Sequence, residues 1–300
     1  YVSIFNLTSG SAIDTSQPLC DSGGTYQQPK VIAVGDSFHV YGSNDGSNEL
    51  GLTVIDTKAL TSVPLMTVIS YDLNSRAWDA CATTHPTHGP CSAIADEDTA
   101  GNNIWIRWHE EAFGYRAAVN LGRTPDTCIS IKEIALPILG SSKICLAWYE
   151  VGANPGTWFA LLDLDGSVYL AATKLNYNAG PPAAGHSNNI VFEIAQEISS
   201  SALDVIAFGF SRAPDTVSPE RRETLIQFAD TAGSVFSTTA AAMQIDDITI
   251  LGSAGTRNGR FSFVLAHHRN GSEQSAVEIC SFEGPDTWPV TADTWAPVFE

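Results

Sequence analysis

The sequence predicts an all-β chain folded as a β-propeller of five to six four-stranded blades, and three observations carry that reading. Helical periodicity is nearly absent. Short runs rich in Val, Ile, Phe, Trp and Tyr alternate with clusters of Gly, Asn, Asp, Ser and Pro, the pattern of antiparallel strands joined by tight turns. Those runs also recur in a fixed order.

One kind of run starts apolar, passes through an aromatic and ends abruptly polar. It occurs at Ser37–Asn44 (SFHVYGSN), Asn103–Glu110 (NIWIRWHE), Lys143–Glu150 (KICLAWYE), Leu203–Ser211 (LDVIAFGFS) and Phe261–His268 (FSFVLAHH). A second kind follows as a hairpin whose tip carries Asp, Gly or Ser, clearest in WFALLDLDGSVYL from Trp158 and TLIQFADTAGSVFS from Thr224. The two hairpins align at their tips, where Asp165 with Gly166 and Gly233 with Ser234 are the residues expected to supply two-residue turns. The segment Pro219–Gln227 has helical composition, but its apolar residues continue better as a strand.

Tyr1–Ile13 matches the same hairpin, with Gly10 near its tip. The N-terminus is therefore expected midway through a blade, with an upstream pair of strands missing or supplied by another segment. The expected division is a half-blade hairpin over 1–28 and blades over 29–90, 91–132, 133–180, 181–242 and 243–300, all in one domain. Runs of the first kind are spaced by about 40 to 65 residues, which suits four-stranded blades with loop insertions. A sandwich or jelly roll is the alternative, but it gives no reason for the ordered pair of run types to recur.

Composition narrows the partners. The 300 residues are 44% hydrophobic and only 16% charged, which excludes intrinsic disorder and coiled coil. A net charge of -18 with five lysines would repel a phosphate backbone, so no nucleic-acid partner is expected. No apolar run is long enough to span a membrane. The six cysteines, at 20, 81, 91, 128, 145 and 280, include no C-x-x-C pair and no zinc-like spacing. Cys128, Cys145 and Cys280 sit in apolar runs as small buried side chains. Cys81 and Cys91 flank a polar stretch and are the disulfide candidate.

Two short stretches carry resemblances. Ser281–Trp288 reads SFEGPDTW and resembles the Asp-box hairpin of sialidase-like propellers, S-x-D-G-G-x-T-W. Ser281, Gly284, Thr287 and Trp288 match, while Glu283 replaces Asp and Pro285 replaces Gly. Tyr71, Asp72 and Trp78 in YDLNSRAW are similar to the tyrosine-to-tryptophan element of kelch blades, although the double glycine of that family is missing. Both resemblances imply a propeller, a fold that hosts enzymes, lectins and scaffolds alike.

In a propeller the second strand of each blade and the loop after it deliver side chains to one face. The polar ends of the five runs are therefore expected to form a ring: Asn44 and Asp45; His109, Glu110 and Glu111; Tyr149 and Glu150; Arg212 and Asp215; His267, His268 and Arg269. Aromatic, acidic, basic and amide groups together suit a polar ligand such as a sugar. His267 and His268 are adjacent and point to opposite faces of a strand, so no metal site is expected there, nor any cofactor. His85 and His88, in HPTH, read as chance. Carboxylates at Asp163 and Asp165, or at Asp96, Glu97 and Asp98, read as ordinary turn chemistry rather than calcium ligands.

A glycosidase needs two carboxyl groups, or a tyrosine supported by a glutamate, and Glu110, Glu150 and Tyr149 have that chemistry. The arginine cluster that the sialidase resemblance implies would draw on Arg107, Arg212 and Arg269, but the Arg-Ile-Pro segment that precedes it is absent. The leading expectation is a non-enzymatic module that binds glycan or protein on an extracellular or virion surface, such as a phage tail fibre or appendage. The alternatives are a sialidase-like glycoside hydrolase and a structural module bound to other subunits of a larger assembly.

Overall fold

A computed structural model describes residues 2–5, 12–17, 26–44, 49–58, 67–70, 73–98, 103–110, 115–123, 129–150, 156–175, 192–196, 204–212, 222–245, 247–256, 260–268, 275–283 and 292–299. The chain divides into two compact units, Tyr1–Arg123 and Thr124–Glu300.

Among the described residues the first unit holds a hairpin, β1 (Val2–Phe5) with β2 (Ala12–Gln17), and two four-stranded sheets. Sheet one contains β3 (Tyr26–Val34), β4 (Ser37–Asn44), β5 (Glu49–Asp56) and β6 (Thr67–Ser70). Sheet two contains β7 (Leu73–His85), β8 (Gly89–Asp98), β9 (Asn103–Glu110) and β10 (Tyr115–Asn120).

Among the described residues the second unit has three more sheets. Sheet three is β11 (Ile129–Leu136), β12 (Ser141–Glu150), β13 (Gly156–Leu162) and β14 (Val168–Lys174). Sheet four is β15 (Phe192–Gln196), β16 (Val205–Arg212), β17 (Arg222–Asp230) and β18 (Val235–Ile245). Sheet five is β19 (Asp247–Thr256), β20 (Arg260–His268), β21 (Ser275–Glu283) and β22 (Ala292–Phe299).

In each sheet the four strands follow one another in sequence and pair antiparallel, the expected all-β architecture of four-stranded meanders. First strands pack on first strands: β3 on β7 in one unit, and β11 on β15 and β15 on β19 in the other. The stretch with helical composition runs into β17, as its apolar pattern requires. The expected divisions after residues 28, 90, 132 and 242 fall within β3, β8, β11 and β18. At residue 90 the reason is local: the Pro- and Gly-bearing stretch His85–Cys91 looks like a boundary loop but closes the β7–β8 hairpin, with His85 opposite Gly89.

A four-stranded sheet cannot bury its own faces, so neighbours must cover them. In the second unit Ile134, Leu136, Tyr149, Phe159 and Leu161 of sheet three meet Ile206, Phe208 and Ala229 of sheet four in one buried cluster. The Phe159 and Phe208 rings lie 5.0 Å apart at a tilt of 49°. Two polar contacts fix how the sheets meet. Thr157 Oγ1 donates to Gln227 Oε1 at 3.3 Å. The buried Asp204 carboxylate accepts the backbone N–H groups of Ile138 and Leu139, at 3.0 and 2.7 Å, and so ties the β11–β12 turn to the chain entering β16.

The two aligned hairpin tips have the same backbone geometry. Asp163 N–H donates to Ser167 O at 2.8 Å and Gly166 N–H to Asp163 O at 2.9 Å; Asp230 N–H donates to Ser234 O at 3.0 Å and Gly233 N–H to Asp230 O at 3.2 Å. The expected two-residue turns are therefore three-residue loops, a tight turn followed by a glycine with positive φ, 92° at Gly166 and 86° at Gly233. A Cβ on Gly233 would lie 3.3 Å from Leu170 Cδ1 and from Thr173 Oγ1 of β14, whereas a Cβ on Gly140, also at positive φ, would meet nothing. Gly140→Ala is expected to cost roughly 1–2 kcal/mol from backbone strain, and Gly233→Ala more than that because crowding is added. Urea unfolding of the two variants checks the order.

Candidate functional site

Alternation along β12 sets the strongest candidate. Trp148 and Glu150 are two residues apart, so they share a face, and both are buried. The Trp148 indole Nε1–H donates to Glu150 Oε1 at 2.8 Å, which orients a carboxyl group at the last residue of the second strand of its sheet. Tyr149 points to the other face and is fully buried in the core with Phe159. It is thus core packing in the present arrangement, not a group at the strand mouth. Glu150 pairs in the ladder with Gly156, whose φ of 143° starts β13.

A second polar region lies between sheets one and two. His39 and Tyr41 come from β4, Ser92 from β8 and His109 from β9, and all four are buried. Ser92 sits directly opposite His109 in the ladder. Its Oγ is 2.7 Å from His39 Nδ1 and 2.5 Å from the Tyr41 hydroxyl. The Tyr41 ring lies 6.2 Å from His109, edge-on, and 6.3 Å from Trp78. Burial raises the Tyr41 phenol well above its ordinary range. Burial, then His39, then Arg107, lower His109 to about 4. On the same face Arg107 bonds to Asp96, a carboxylate with no exposed surface, and the Arg107 guanidinium stacks 5.9 Å from the Trp105 ring.

A third cluster caps the β7–β8 hairpin. The imidazoles of His85 and His88 stack at 4.6 Å, His85 meets Trp108 edge-on at 6.5 Å, and His88 Nδ1 lies 3.3 Å from Glu110 Oε1. Sequence reasoning dismissed this histidine pair; the hairpin brings it beside Glu110. Among the described residues no group of three or more His, Cys, Asp or Glu is arranged to hold a metal ion, and no helix is long and apolar enough to cross a membrane.

The expected ring residues fall as follows. Asn44, Glu150, Arg212 and His268 each end the second strand of a sheet. His109 and Glu110 end a third strand, because sheet two begins with β7 rather than after residue 90. Neighbouring strands run in opposite directions, so this polar end lies at the sheet end where β7 also finishes, beside His85 and His88. Glu110 and Glu150 belong to different units. Asp45, Glu111, Asp215 and Arg269 lie outside the described residues.

Cys81 and Cys91 are not joined in a disulfide. Register explains this: Cys91 faces Thr83 and Cys81 faces Ala93, which makes the two cysteines diagonal neighbours. Diagonal positions are about 7–8 Å apart, beyond the roughly 3.5–4.5 Å between Cβ atoms that a disulfide needs. Cys145 is buried in an apolar cluster, as its surroundings in the sequence imply. Asp163 bonds to Lys143 Nζ at 2.7 Å and to the Ser167 hydroxyl at 3.2 Å, so its carboxylate is committed to the turn.

No protein family and no curated protein matches the sequence. Among solved structures the chain is similar to an exo-β-1,3-galactanase from Phanerochaete chrysosporium with β-1,3-galactotriose, at 9% identity and a TM-score of 0.45 over 98% of this chain and 69% of that one. It is similar to an α-L-arabinofuranosidase from Podospora anserina in complex with cellotriose, at 10% identity and a TM-score of 0.44 over 86% and 90% of the two chains. It is also similar to an endo-arabinanase from Bacillus licheniformis, at 9% identity and a TM-score of 0.40 over 89% and 97%.

All three bear the names of glycan-cleaving enzymes, and none is a sialidase. The expectation of a non-enzymatic binding module is corrected on that finding. Acidity and polar strand ends do not separate the two functions, since a sugar-binding face and a sugar-cleaving one use the same aromatic and acidic groups. The sialidase-like reading draws no support from these neighbours, and Gly284–Trp288 of the Asp-box stretch lie outside the described residues.

Two ion pairs in the first unit should separate by burial. Asp96→Ala strands Arg107 in the interior and is expected to cost about 3–5 kcal/mol. Lys58→Ala removes an exposed partner of Asp36 and is expected to change stability by less than about 1 kcal/mol. Urea denaturation of both variants measures the contrast.

Proposed function

We propose that the chain is a β-propeller glycoside hydrolase in which Glu150 supplies a catalytic carboxyl group. The observation that carries this reading is a buried glutamate at a strand end, oriented through one oxygen by the indole of Trp148. Glycoside cleavage needs a carboxyl that gives or takes a proton at the glycosidic oxygen or at water, and it needs that group held on a rigid element. β12 is such an element, buried on both faces from Lys143 to Glu150.

The propeller itself is supported by the five meanders among the described residues and by the packing of first strand on first strand. In this reading Arg212 and His268, which end the second strands of sheets four and five, join Glu150 on the substrate rim. The substrate is a glycan polymer, and extracellular placement belongs to this proposal because such polymers lie outside the cell.

Release of reducing sugar from a panel of polysaccharides that includes β-1,3-galactan and arabinan tests the reading. The unmodified chain is expected to cleave at least one of them. Glu150→Gln, with its far-ultraviolet circular dichroism unchanged, is expected to lose about 10²–10⁴-fold in rate. No release from any glycan, or full activity in the folded Gln variant, overturns the proposal.

A further inference from the structure

The polar cluster between sheets one and two has no part in that reaction. Ser92 is its hub, and a single hydroxyl hydrogen makes its bonding directional. One partner at least must donate to Ser92 while it bonds to both His39 Nδ1 and the Tyr41 hydroxyl. Through these bonds β8 holds β4, and the apolar cluster of Ile32, Val34, Tyr41, Leu50, Leu52, Trp78, Ala80 and Ile94 closes the same interface. Opening the interface would therefore expose both sets of contacts together.

We propose that this cluster is an acid-operated latch: a neutral His109 lets Ser92, bonded to His39 and Tyr41, tie β4 to sheet two, and a proton on the His109 imidazole separates the two sheets.

The groups that face the pair fix the direction. On β4 they are Tyr41 and His39 itself, and Tyr41 contributes no charge near neutrality. On β7 and β8 the thiols of Cys81 and Cys91 act on Tyr41, with Ser92 bonded to His39 and opposite His109 in the ladder. On β9 stands Arg107, whose charge has the same sign as a protonated imidazole and whose guanidinium is bonded to Asp96 of β8. A proton that enters this space meets burial and like charge.

The sign follows from His109, held at about 4 against 6.5 when exposed. Between those two values the closed interface keeps the imidazole neutral and the opened one protonates it. Each unit of pH lost in that window favours the opened form by about tenfold. Above the window the latch is indifferent to pH, because both forms are neutral. Below it both forms carry the proton, and the opening is complete in its dependence.

Hydrogen exchange of the full chain, followed by mass spectrometry at pH 7, 6 and 5 and corrected for intrinsic amide rates, tests the latch. Peptides from β4, β8 and β9 are expected to open more readily by about tenfold from pH 6 to 5, while peptides from β12 and β13, which contain no histidine, stay level. His109→Gln is expected to abolish that slope. Equal pH dependence in the peptides of the two units, or an unchanged slope in the Gln variant, overturns the proposal. The comparison within the unmodified chain decides the matter even where the variant does not fold, and glycan cleavage does not enter it.

Discussion

A sheet of four short strands has two faces and no means of burying either alone, and the rest of this structure answers to that constraint. β12 shows its force: eight consecutive residues, Lys143 to Glu150, are buried, so both faces of the strand are covered. Sheets three and four meet it with aromatic and aliphatic contact, and they fix their alignment at two polar points, Asp204 on the β11–β12 turn and Thr157 on Gln227. Sheets one and two meet it differently. Their interface mixes apolar side chains with the His39 imidazole and the Tyr41 and Ser92 hydroxyls, which hydrogen-bond across it, beside the Arg107–Asp96 pair of sheet two.

The same constraint tells where chemistry can sit. With strand interiors committed to packing, a carboxyl able to serve a substrate must stand at a strand end, and its orientation must come from a neighbour already fixed in the core. Glu150 meets both conditions through Trp148. Asp96 meets neither, since it is fully enclosed and bonded to Arg107. Tyr149, although next in sequence to Glu150, is assigned to the core by alternation alone.

Much of the fold was legible because strands and turns are local. The runs at Ser37–Asn44 and Asn103–Glu110 coincide with β4 and β9, and the match between LDLDGS and ADTAGS foretold two loops with one hydrogen-bond pattern. The position of β9 within its sheet was hidden, because His85–Cys91 carries two prolines and a glycine and reads as a boundary. The pairing of Trp148 with Glu150 was readable from a spacing of two. The meeting of Ser92 with His39, and of Asp204 with Ile138 and Leu139, was not, since no local pattern encodes a contact between distant strands.

The two loops at Asp163–Ser167 and Asp230–Ser234 share only their first, fourth and fifth residues: Asp, Gly and Ser. The first and last close the loop through backbone bonds, and the glycine takes the positive φ. The second and third residues, Leu164 and Asp165 in one and Thr231 and Ala232 in the other, follow no common rule. Three residues therefore keep the shape of the loop while its two middle positions are free to vary, so these loops are where the sheets can differ in sequence without losing the hairpin.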